Sequence, residues 1–374
     1  MAEFFFYGTL RHLPLLSVVL GRPVTGEAAW LPGHAVRQAM EGAFPVLVEQ
    51  PGARAEGIVV RDIGLAEIAR LDHYEGGFAF DTVEMTVQTT QPEMARVYRP
   101  RPGQWQAGAP WVLADWQARW GDVVTETAHD VMALHGTMPA DAVLARYPQM
   151  LVRGASRLRA RTDAAPTALR LAAQPGDVQV LSRRTPYARF FAVEEYDLTH
   201  RLFQGDQGKP ILRAAFIACD AVTVLPYDPV RDRVLLVEQF RTGALARGDR
   251  QCWQLEAVAG RVDADETPEA TARREAVEEA GLTLGDLLPV AQYYTSIGAV
   301  SEYLYSFVAP CDLPDGLAGT HGVEEEGEDI RTHVIPFDRL MELVGSGEIS
   351  NAPLIITALW LQRERPRLRG ALQV

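Results

Sequence analysis

The sequence predicts an α/β (α+β) protein in which two domains are joined by helices. Its 374 residues are too many for one ordinary hydrophobic core. Short apolar runs such as Phe4–Tyr7 and Gly57–Val60, bounded by glycine and proline, predict a small sheet-rich domain up to about residue 110. Helical spacing follows, and strand patterns alternate with a helix after residue 178. We therefore expect a first domain over 1–110, a helical linker over 111–170 and a second domain over 171–374.

The net charge of −13 limits the partners that this chain can have. Nucleic acid and anionic membranes both require a basic surface, so we expect neither, whereas a small anionic ligand held through a divalent metal is compatible. Cys219, Cys252 and Cys311 are far apart and form no CxxC pattern, which favours a reducing cytoplasm. The first apolar run stops at Gly8, too early for a signal peptide or a membrane span.

The predicted linker has bulky side chains at helical spacing, including Trp116, Trp120 and Val131, and Gly136 is placed to end that helix. A second helical stretch follows Pro139. We interpret its arginines as a solvated helix face rather than a binding surface; they are Arg153, Arg157, Arg159 and Arg161.

Two strand patterns open the second domain, over Ala221–Leu225 and Val234–Val237. The residues between them, Asp228–Asp232, have turn chemistry, so the two strands should form a hairpin.

A helix rich in glutamate is the most informative feature of the sequence. Thr267 is a good N-cap, Pro268 suits the first helical position and Gly281 suits the residue that ends a helix, so the helix should span Pro268–Ala280. Three carboxylates then share one face, because they lie three and four residues apart; they are Glu275, Glu278 and Glu279.

Such a face is either a solvated acidic surface or a metal site. Magnesium prefers oxygen ligands, and converging carboxylates can hold Mg²⁺ ions that neutralise a diphosphate. Arg274 can orient a carboxylate from the preceding loop, for which Glu266 is the candidate. Gly260 allows close approach of the backbone to metal because it has no Cβ.

Residues 260–282 resemble the Nudix box. Its fixed positions are glycine, then glutamate, then Arg-Glu-apolar-any-Glu-Glu-any-Gly-apolar, and the residues that fill them are Gly260, Glu266, Arg274, Glu275, Ala276, Glu278, Glu279, Gly281 and Leu282. The resemblance implies an α/β/α sandwich that uses Mg²⁺, with Mn²⁺ as the alternative cation, to hydrolyse a small nucleoside diphosphate derivative. An inactive homologue that retains the box is the alternative.

The stretch from about Val178 to Leu361 resembles bacterial ADP-ribose pyrophosphatases, so the expected substrate is ADP-ribose. The resemblance implies a set of metal ligands consisting of the Ala259 carbonyl, Glu275, Glu279 and Glu328. It also implies that a loop glutamate, Glu326, takes the proton from water, and we count Glu278 as a further catalytic carboxylate. Glu324, Glu325 and Glu328 leave the choice of base open.

The same resemblance implies a substrate pocket. Arg241 and Arg213 match residues that contact the diphosphate or the terminal ribose, although either arginine is equally compatible with a surface ion pair. Phe190 matches an aromatic that stacks on adenine, and Ser296 and Glu302 lie in the loop over the terminal ribose. Phe190 and Arg213 match residues that reach across a dimer, so we expect a homodimer through the Nudix domain.

Two departures from the family bear on the substrate. Ile297 stands in Ser296-Ile297-Gly298 where the family has proline, and Ala218 stands where an arginine is expected. Another ADP-sugar or a GDP-sugar is therefore an alternative substrate, and a regulatory nucleotide-sugar-binding protein without turnover is the alternative of another class.

The first domain resembles the γ-glutamylcyclotransferase-like fold, a mixed β-barrel. The resemblance rests on Phe6–Arg11 at a strand end and on Leu71–Gly76 further along. It implies that the backbone of Tyr7, Gly8, Thr9 and Leu10 holds a carboxylate and that a buried Glu75 acts as acid and base. A rigid domain that only presents a partner surface is the alternative.

Overall fold

The computed structural model describes residues 1–323 and 327–370, which belong to two compact units, Met1–Leu169 and Arg170–Val374. Among these residues, no helix combines the length and the apolar character that crossing a bilayer requires.

The N-terminal unit is built on a closed, mixed β-barrel. Its strands are β1 Ala2–Phe6, β2 Glu27–Ala39, β3 Pro45–Ile63, β4 Phe80–Gln88, β5 Pro92–Pro100 and β6 Ala107–Pro110. Five strands follow the order β3-β1-β5-β4-β2, and pairing of β2 with β3 closes the ring, while β6 extends β2. Strand β1 runs antiparallel to β3 and parallel to β5. The mixed barrel implied by the resemblance is confirmed.

Helices pack around this barrel. They are α1 Leu13–Leu20, α2 Leu65–Gly76, α3 Leu113–Trp116, α4 Asp122–Ala133, α5 Ala140–Leu144 and α6 Tyr147–Thr162. Side chains from the stretch predicted as a linker, including Trp116, Val124 and Met150, lie in the same hydrophobic core as Phe4 of β1. These helices therefore bury apolar surface against the barrel.

The arginines of α6 do not form a uniformly solvated face. Arg153 is only 5% exposed. Arg157 donates hydrogen bonds to Glu126 at 2.7 Å and to Asp130 at 2.8 Å. The interpretation as a solvated face is wrong for Arg153, because α4 packs against this side of α6.

The C-terminal unit contains two sheets. The three-stranded sheet consists of β7 Val178–Ala188, β8 Ala192–His200 and β9 Ile211–Ile217. The larger sheet consists of β10 Asp220–Asp228, β11 Arg233–Phe240, β12 Trp253–Glu256, β13 Val258–Arg261, β14 Leu288–Tyr294, β15 Tyr303–Pro310, β16 Thr320–His321 and β17 Ile330–Pro336.

The predicted hairpin is confirmed, because β10 pairs antiparallel with β11 at Tyr227 with Val234. The Asp228 carboxylate accepts hydrogen bonds from the backbone N–H groups of Val230 and Arg231, which shapes the turn.

Helices cover both faces of the larger sheet. They are α8 Pro268–Ala280, α9 Phe337–Ser346 and α10 Ala352–Gly370, whereas the short α7 Thr242–Arg247 buries no residue. Helix α8 buries Ala272 and Ala276 in one core, while Phe337 of α9 and Leu354 of α10 lie in a second core. This arrangement confirms the α/β/α sandwich and leaves the glutamates of α8 at the edge of the first core.

Candidate active site

Helix α8 has the predicted bounds and caps. The Thr267 hydroxyl accepts a hydrogen bond from the N–H of Ala270, and Gly281 ends the helix in the left-handed conformation with a φ of 63°. Burial of its alanine face turns the glutamates toward the strands that flank Gly260. The three carboxylates are buried to different degrees, since the Glu275 and Glu278 side chains are 13% and 34% exposed and Glu279 is 2% exposed.

Arg274 links three carboxylates. Its Nε donates to Glu266 at 3.0 Å, and its Nη1 donates to Glu275 at 2.7 Å and to Glu278 at 2.8 Å. The predicted pairing with Glu266 is confirmed. The planar guanidinium has five donors in a fixed arrangement, so one side chain can orient several carboxylates.

Strand β13 brings backbone against the same carboxylates. It pairs antiparallel with β10, and the N–H of Ala259 donates to Glu279 at 3.0 Å. A Cβ added to Gly260 would overlap the Glu275 carboxylate. Glycine is therefore required at residue 260 for Glu275 to occupy its observed position.

The cluster is electrostatically suited to a cation. Burial raises the pKa of Glu275 to about 7, against the lowering effect of Arg274. Burial also raises the pKa of Glu279 to about 8, although the Ala259 hydrogen bond opposes the shift and Glu275 adds to it. A divalent ion would offset both the desolvation and the mutual repulsion of these carboxylates.

The donor set also fits the ion chemically, since carboxylate and carbonyl oxygens are the ligands that Mg²⁺ prefers. Within residues 1–323 and 327–370, no three His, Cys, Asp or Glu side chains form a ready metal-binding group. Arg274 occupies oxygens of both Glu275 and Glu278, which is one physical reason.

Glu328 lies on the loop that precedes β17. Its carboxylate accepts a hydrogen bond from the N–H of Val323 at 3.2 Å. Its charge acts on Glu275 and Glu279, raising the pKa of each after the larger effect of burial. The three predicted metal-binding side chains, Glu275, Glu279 and Glu328, therefore lie close enough to interact electrostatically. The predicted base Glu326 and its neighbours Glu324 and Glu325 lie outside the described residues.

Arg241 lies beside this cluster but is already paired. Its Nε and Nη2 donate to the two carboxylate oxygens of Glu256 at 2.9 and 2.7 Å. Burial raises the pKa of Glu302, and Arg241 lies close enough to oppose part of this shift. Burial lowers the pKa of Arg241, but the nearby charges of Glu256, Glu279 and Glu328 raise it. Arg241 and Glu302, predicted to bind substrate, therefore adjoin the predicted metal-binding group.

The other predicted substrate residues lie further out. Phe190, between β7 and β8, is 54% exposed, and the Arg261 guanidinium of the same chain lies 4.2 Å from its ring centroid. Arg213 on β9 donates to the Leu212 carbonyl at 2.8 Å, and Ser296 is exposed in a tight turn. Within the described part of the chain, neither Arg213 nor Ser296 has a hydrogen bond or ion pair with the carboxylate cluster.

Sequence reasoning missed three residues of this site. Gln239 donates to Glu279 at 3.4 Å, Glu256 holds Arg241, and Arg261 covers Phe190. Gln239 carried a usable signal, because it is a polar residue at an inward position of β11 and such a group needs a buried partner. No sequence signal marked Arg261, because the Phe190 ring that it contacts lies in a turn that is distant in the chain.

A second candidate site lies inside the N-terminal unit. Strand β1 is 5 residues long and α2 is 12 residues long, so both span about 17–18 Å. Strand β3 runs antiparallel to β1 and ends beside the start of β1, where α2 begins. A helix of this length that folds back along β1 ends near the end of β1. A cavity of about 410 Å³ there is lined by Tyr7–Leu10 and by Glu75. The two separated motifs therefore meet.

Glu75 has different surroundings from the glutamates of α8, because its charge acts on four tyrosines, Tyr7, Tyr74, Tyr98 and Tyr147. Among the described residues, no side chain or backbone group donates a hydrogen bond to its carboxylate. Burial raises the pKa of Glu75 to about 8. Its carboxyl can therefore exchange a proton near neutral pH.

Comparison with known proteins assigns a family profile to each unit. The profile described as "NUDIX domain" matches residues 218–355. The profile described as "Gamma-glutamyl cyclotransferase, AIG2-like" matches residues 4–118.

The C-terminal half is similar to several bacterial enzymes. The ADP-ribose pyrophosphatase of Escherichia coli K12 is 39% identical over 194 residues, which cover 52% of this chain and 92% of that protein. The ADP-ribose pyrophosphatase of Haemophilus influenzae is 35% identical over 195 residues, with coverages of 52% and 89%. The GDP-mannose pyrophosphatase of Salmonella paratyphi B is 34% identical over 167 residues, with coverages of 45% and 84%. A crystal structure of an ADP compounds hydrolase aligns with a TM-score of 0.40 at 21% identity, over 50% of this chain and 96% of that one.

Replacing Gly260 with alanine should displace the Glu275 carboxylate, because the new Cβ would overlap it. We expect the affinity for Mn²⁺, measured by isothermal titration calorimetry on the full chain, to fall by at least about tenfold. The matched control is Gly345→Ala in α9, where a Cβ would meet no atom within 4 Å. Equal Mn²⁺ affinity in the two variants would remove Glu275 from the metal site.

Proposed function

Because this chain belongs to the Nudix hydrolases and carries a γ-glutamyl cyclotransferase-like domain at its N-terminal end, we propose that its Nudix domain converts ADP-ribose to AMP and ribose 5-phosphate with Mg²⁺. The enzyme class is nucleoside-diphosphate-sugar hydrolase, a class that generally uses divalent metal ions. The observation that carries the proposal is the carboxylate cluster at Gly260, where burial raises the pKa of Glu275 and Glu279 and leaves a need for positive charge.

In this proposal the Ala259 carbonyl, Glu275, Glu279 and Glu328 hold Mg²⁺, and Mn²⁺ is the alternative cation. The bound ion supplies charge neutralisation for the diphosphate. Arg274 keeps the side chains in place by orienting Glu275, Glu278 and Glu266.

The reaction needs a group that accepts a proton. A water molecule adds to one phosphorus, the bridging P–O bond breaks, and Glu326 takes the proton that leaves the water. Glu278, held by Arg274, is the alternative catalytic carboxylate within the described residues.

Substrate binding is assigned to side chains around the cluster. The Arg241 fork, already aligned by Glu256, suits phosphate oxygens. The exposed ring of Phe190 offers a surface for adenine stacking, and Arg213, Ser296 and Glu302 are assigned to the terminal ribose. We also propose a cytoplasmic location, which the three free thiols support.

Changing Glu326 to glutamine should lower AMP release from ADP-ribose by roughly two orders of magnitude or more, because proton abstraction is lost. ADP-ribose affinity, measured by calorimetry, should stay close to that of the native chain. Glu324→Gln and Glu325→Gln are the matched controls and should keep turnover. Near-normal turnover in Glu326→Gln would assign the base to another residue.

A substrate series separates this proposal from its alternatives. ADP-ribose, ADP-glucose and GDP-mannose are compared by kcat/KM at saturating Mg²⁺, and ADP-ribose should rank first. A higher value for GDP-mannose would support the GDP-sugar alternative. Binding of ADP-ribose without release of AMP would support a regulatory binding protein.

We further propose a homodimer in which residues 178–216 of one chain complete the pocket of its partner. The three-stranded sheet exposes Val180, Leu181 and Leu212, and Phe203, on the connection between β8 and β9, is 96% exposed. An apolar surface of this kind is typical of an association face.

Mixing two inactive variants tests this arrangement. Phe190→Ala and Glu279→Gln each impair one half of a shared site, so a mixed dimer contains one intact site if Phe190 acts on the partner. Activity should then recover to roughly a quarter of the native value after unfolding and reassociation. Phe190 lies against Arg261 of its own chain, and no recovery would show that it serves its own site. A monomer by light scattering that retains activity would exclude the dimer altogether.

A second function is favoured by the cavity at Glu75. The α-amine of a γ-glutamyl compound attacks the γ-carbonyl carbon. The amide bond between that carbon and the nitrogen of the substituent breaks, and 5-oxoproline and a free amine are released. Glu75 moves one proton from the α-nitrogen to the departing nitrogen. The backbone of Tyr7, Gly8, Thr9 and Leu10 is assigned to the substrate carboxylate.

The pH dependence of 5-oxoproline release tests the role of Glu75. As a base, Glu75 must be ionised, and its pKa is raised to about 8, so the rate should rise about tenfold per pH unit below pH 8 and then level off. Glu75→Gln should abolish this release and keep ADP-ribose hydrolysis. A rate that is already level at pH 6 would contradict the assignment, and loss of both activities would show that Glu75 supports folding.

A further inference from the structure

One wall of the N-terminal cavity comes from helices that lie beyond the family-matched residues 4–118. The side chains of this helical wall are Trp120, Val124, Leu144, Tyr147, Pro148 and Leu151. All of them are apolar or aromatic. The cavity is therefore closed by a surface that this chain adds to the barrel.

The indole side chains of Trp105 and Trp116 offer ring surface rather than polar atoms to the cavity. The Trp105 indole donates to the Phe78 carbonyl at 2.7 Å, and the Trp116 indole donates to the Ala43 carbonyl at 2.8 Å. Phe78 and Tyr147 pack edge to face, with ring centroids 5.1 Å apart. Because these polar atoms are satisfied and the rings are held by their neighbours, the wall presents a fixed apolar shape.

The charged side chains that line the described cavity are acidic. Among the described residues that line it, none is lysine, arginine or histidine, whereas Glu41 and Glu75 are acidic. Glu41 already accepts two hydrogen bonds from the N–H of Gln106, at 3.0 and 3.1 Å. A ligand carboxylate against the helical wall would be desolvated without a cation among the lining side chains, and Glu41 and the ionised form of Glu75 would repel it.

Burial favours the opposite kind of ligand. Apolar area removed from water contributes favourably in proportion to its extent, and aromatic rings gain further from edge-to-face packing. A cavity of about 410 Å³ lies at the small end of the range for single small ligands. It therefore suits a γ-glutamyl group with one compact apolar substituent.

We infer that the released amine carries a neutral, aromatic-sized apolar substituent that packs against Trp120, Tyr147 and Leu151. This inference rests on the cyclisation proposed at Glu75. γ-Glutamyl amides of arylalkylamines are the substrate class, and γ-glutamyl peptides that end in a carboxylate are excluded.

The test compares γ-glutamyl-phenethylamide with γ-glutamyl-phenylalanine, which has the same ring and adds one carboxylate. On the full chain, 5-oxoproline release should show a kcat/KM at least tenfold higher for the phenethylamide. Leu151→Arg places a cation at the helical wall and should reduce that ratio at least threefold. Leu158→Arg is the matched control, because it lies two turns along α6 and does not line the cavity, and it should keep the native ratio.

The outcomes separate the two proposals. A ratio near one, or a preference for γ-glutamyl-phenylalanine, overturns the inferred substrate class and leaves cyclisation in place. If neither compound yields 5-oxoproline, cyclisation is wrong, and calorimetric binding of the same pair decides the ligand class. Tighter binding of the phenethylamide by at least tenfold supports the inferred class, and equal binding or none overturns it.

Discussion

The C-terminal site depends on the contacts of one guanidinium. Arg274 reaches a loop carboxylate, Glu266, and two helix carboxylates, Glu275 and Glu278, and so connects the approach to α8 with the helix itself. Without this link, three anions within a few ångströms would separate by repulsion. A lysine at residue 274 would provide one compact charge without the fixed fork that suits several acceptors. Arg274 provides one positive charge for three carboxyl groups, so their full ionisation leaves an excess of negative charge that a divalent cation can neutralise.

The two candidate sites use buried carboxyl groups in different ways. Burial raises the pKa of both Glu279 and Glu75 to about 8. Glu279 accepts hydrogen bonds from Ala259 and Gln239 and has other carboxylates around it, so an added cation can stabilise its ionised form. Glu75 lies in a cavity whose described lining contains tyrosines but no lysine, arginine or histidine, and a proton is the simplest way to neutralise it. The surrounding groups, rather than the residue type, make one carboxyl group suited to a cation and the other suited to proton exchange.

Backbone geometry places both sites. In the C-terminal unit, β13 brings Gly260 against Glu275 without a Cβ between them. In the N-terminal unit, β1 and α2 have nearly equal lengths, so Glu75 returns to the loop at Tyr7. In the first arrangement the Ala259 N–H contacts a carboxylate directly, and in the second Glu75 and the Tyr7–Leu10 loop line one cavity.

The bounds of α8, the spacing of its glutamates, the pairing of Arg274 with Glu266 and the β10–β11 hairpin were all predictable from sequence, because their signals lie within a few residues of one another. The tertiary structure alone decided that Glu279 is buried while Glu278 is one-third exposed, since packing against the sheet differs for the two. It also decided that Arg241 pairs with Glu256, that Phe190 lies against Arg261, and that helices after residue 118 close the cavity at Glu75. Each of these contacts joins residues that are distant in the chain, and local propensity and spacing carry no information about which distant side chains meet.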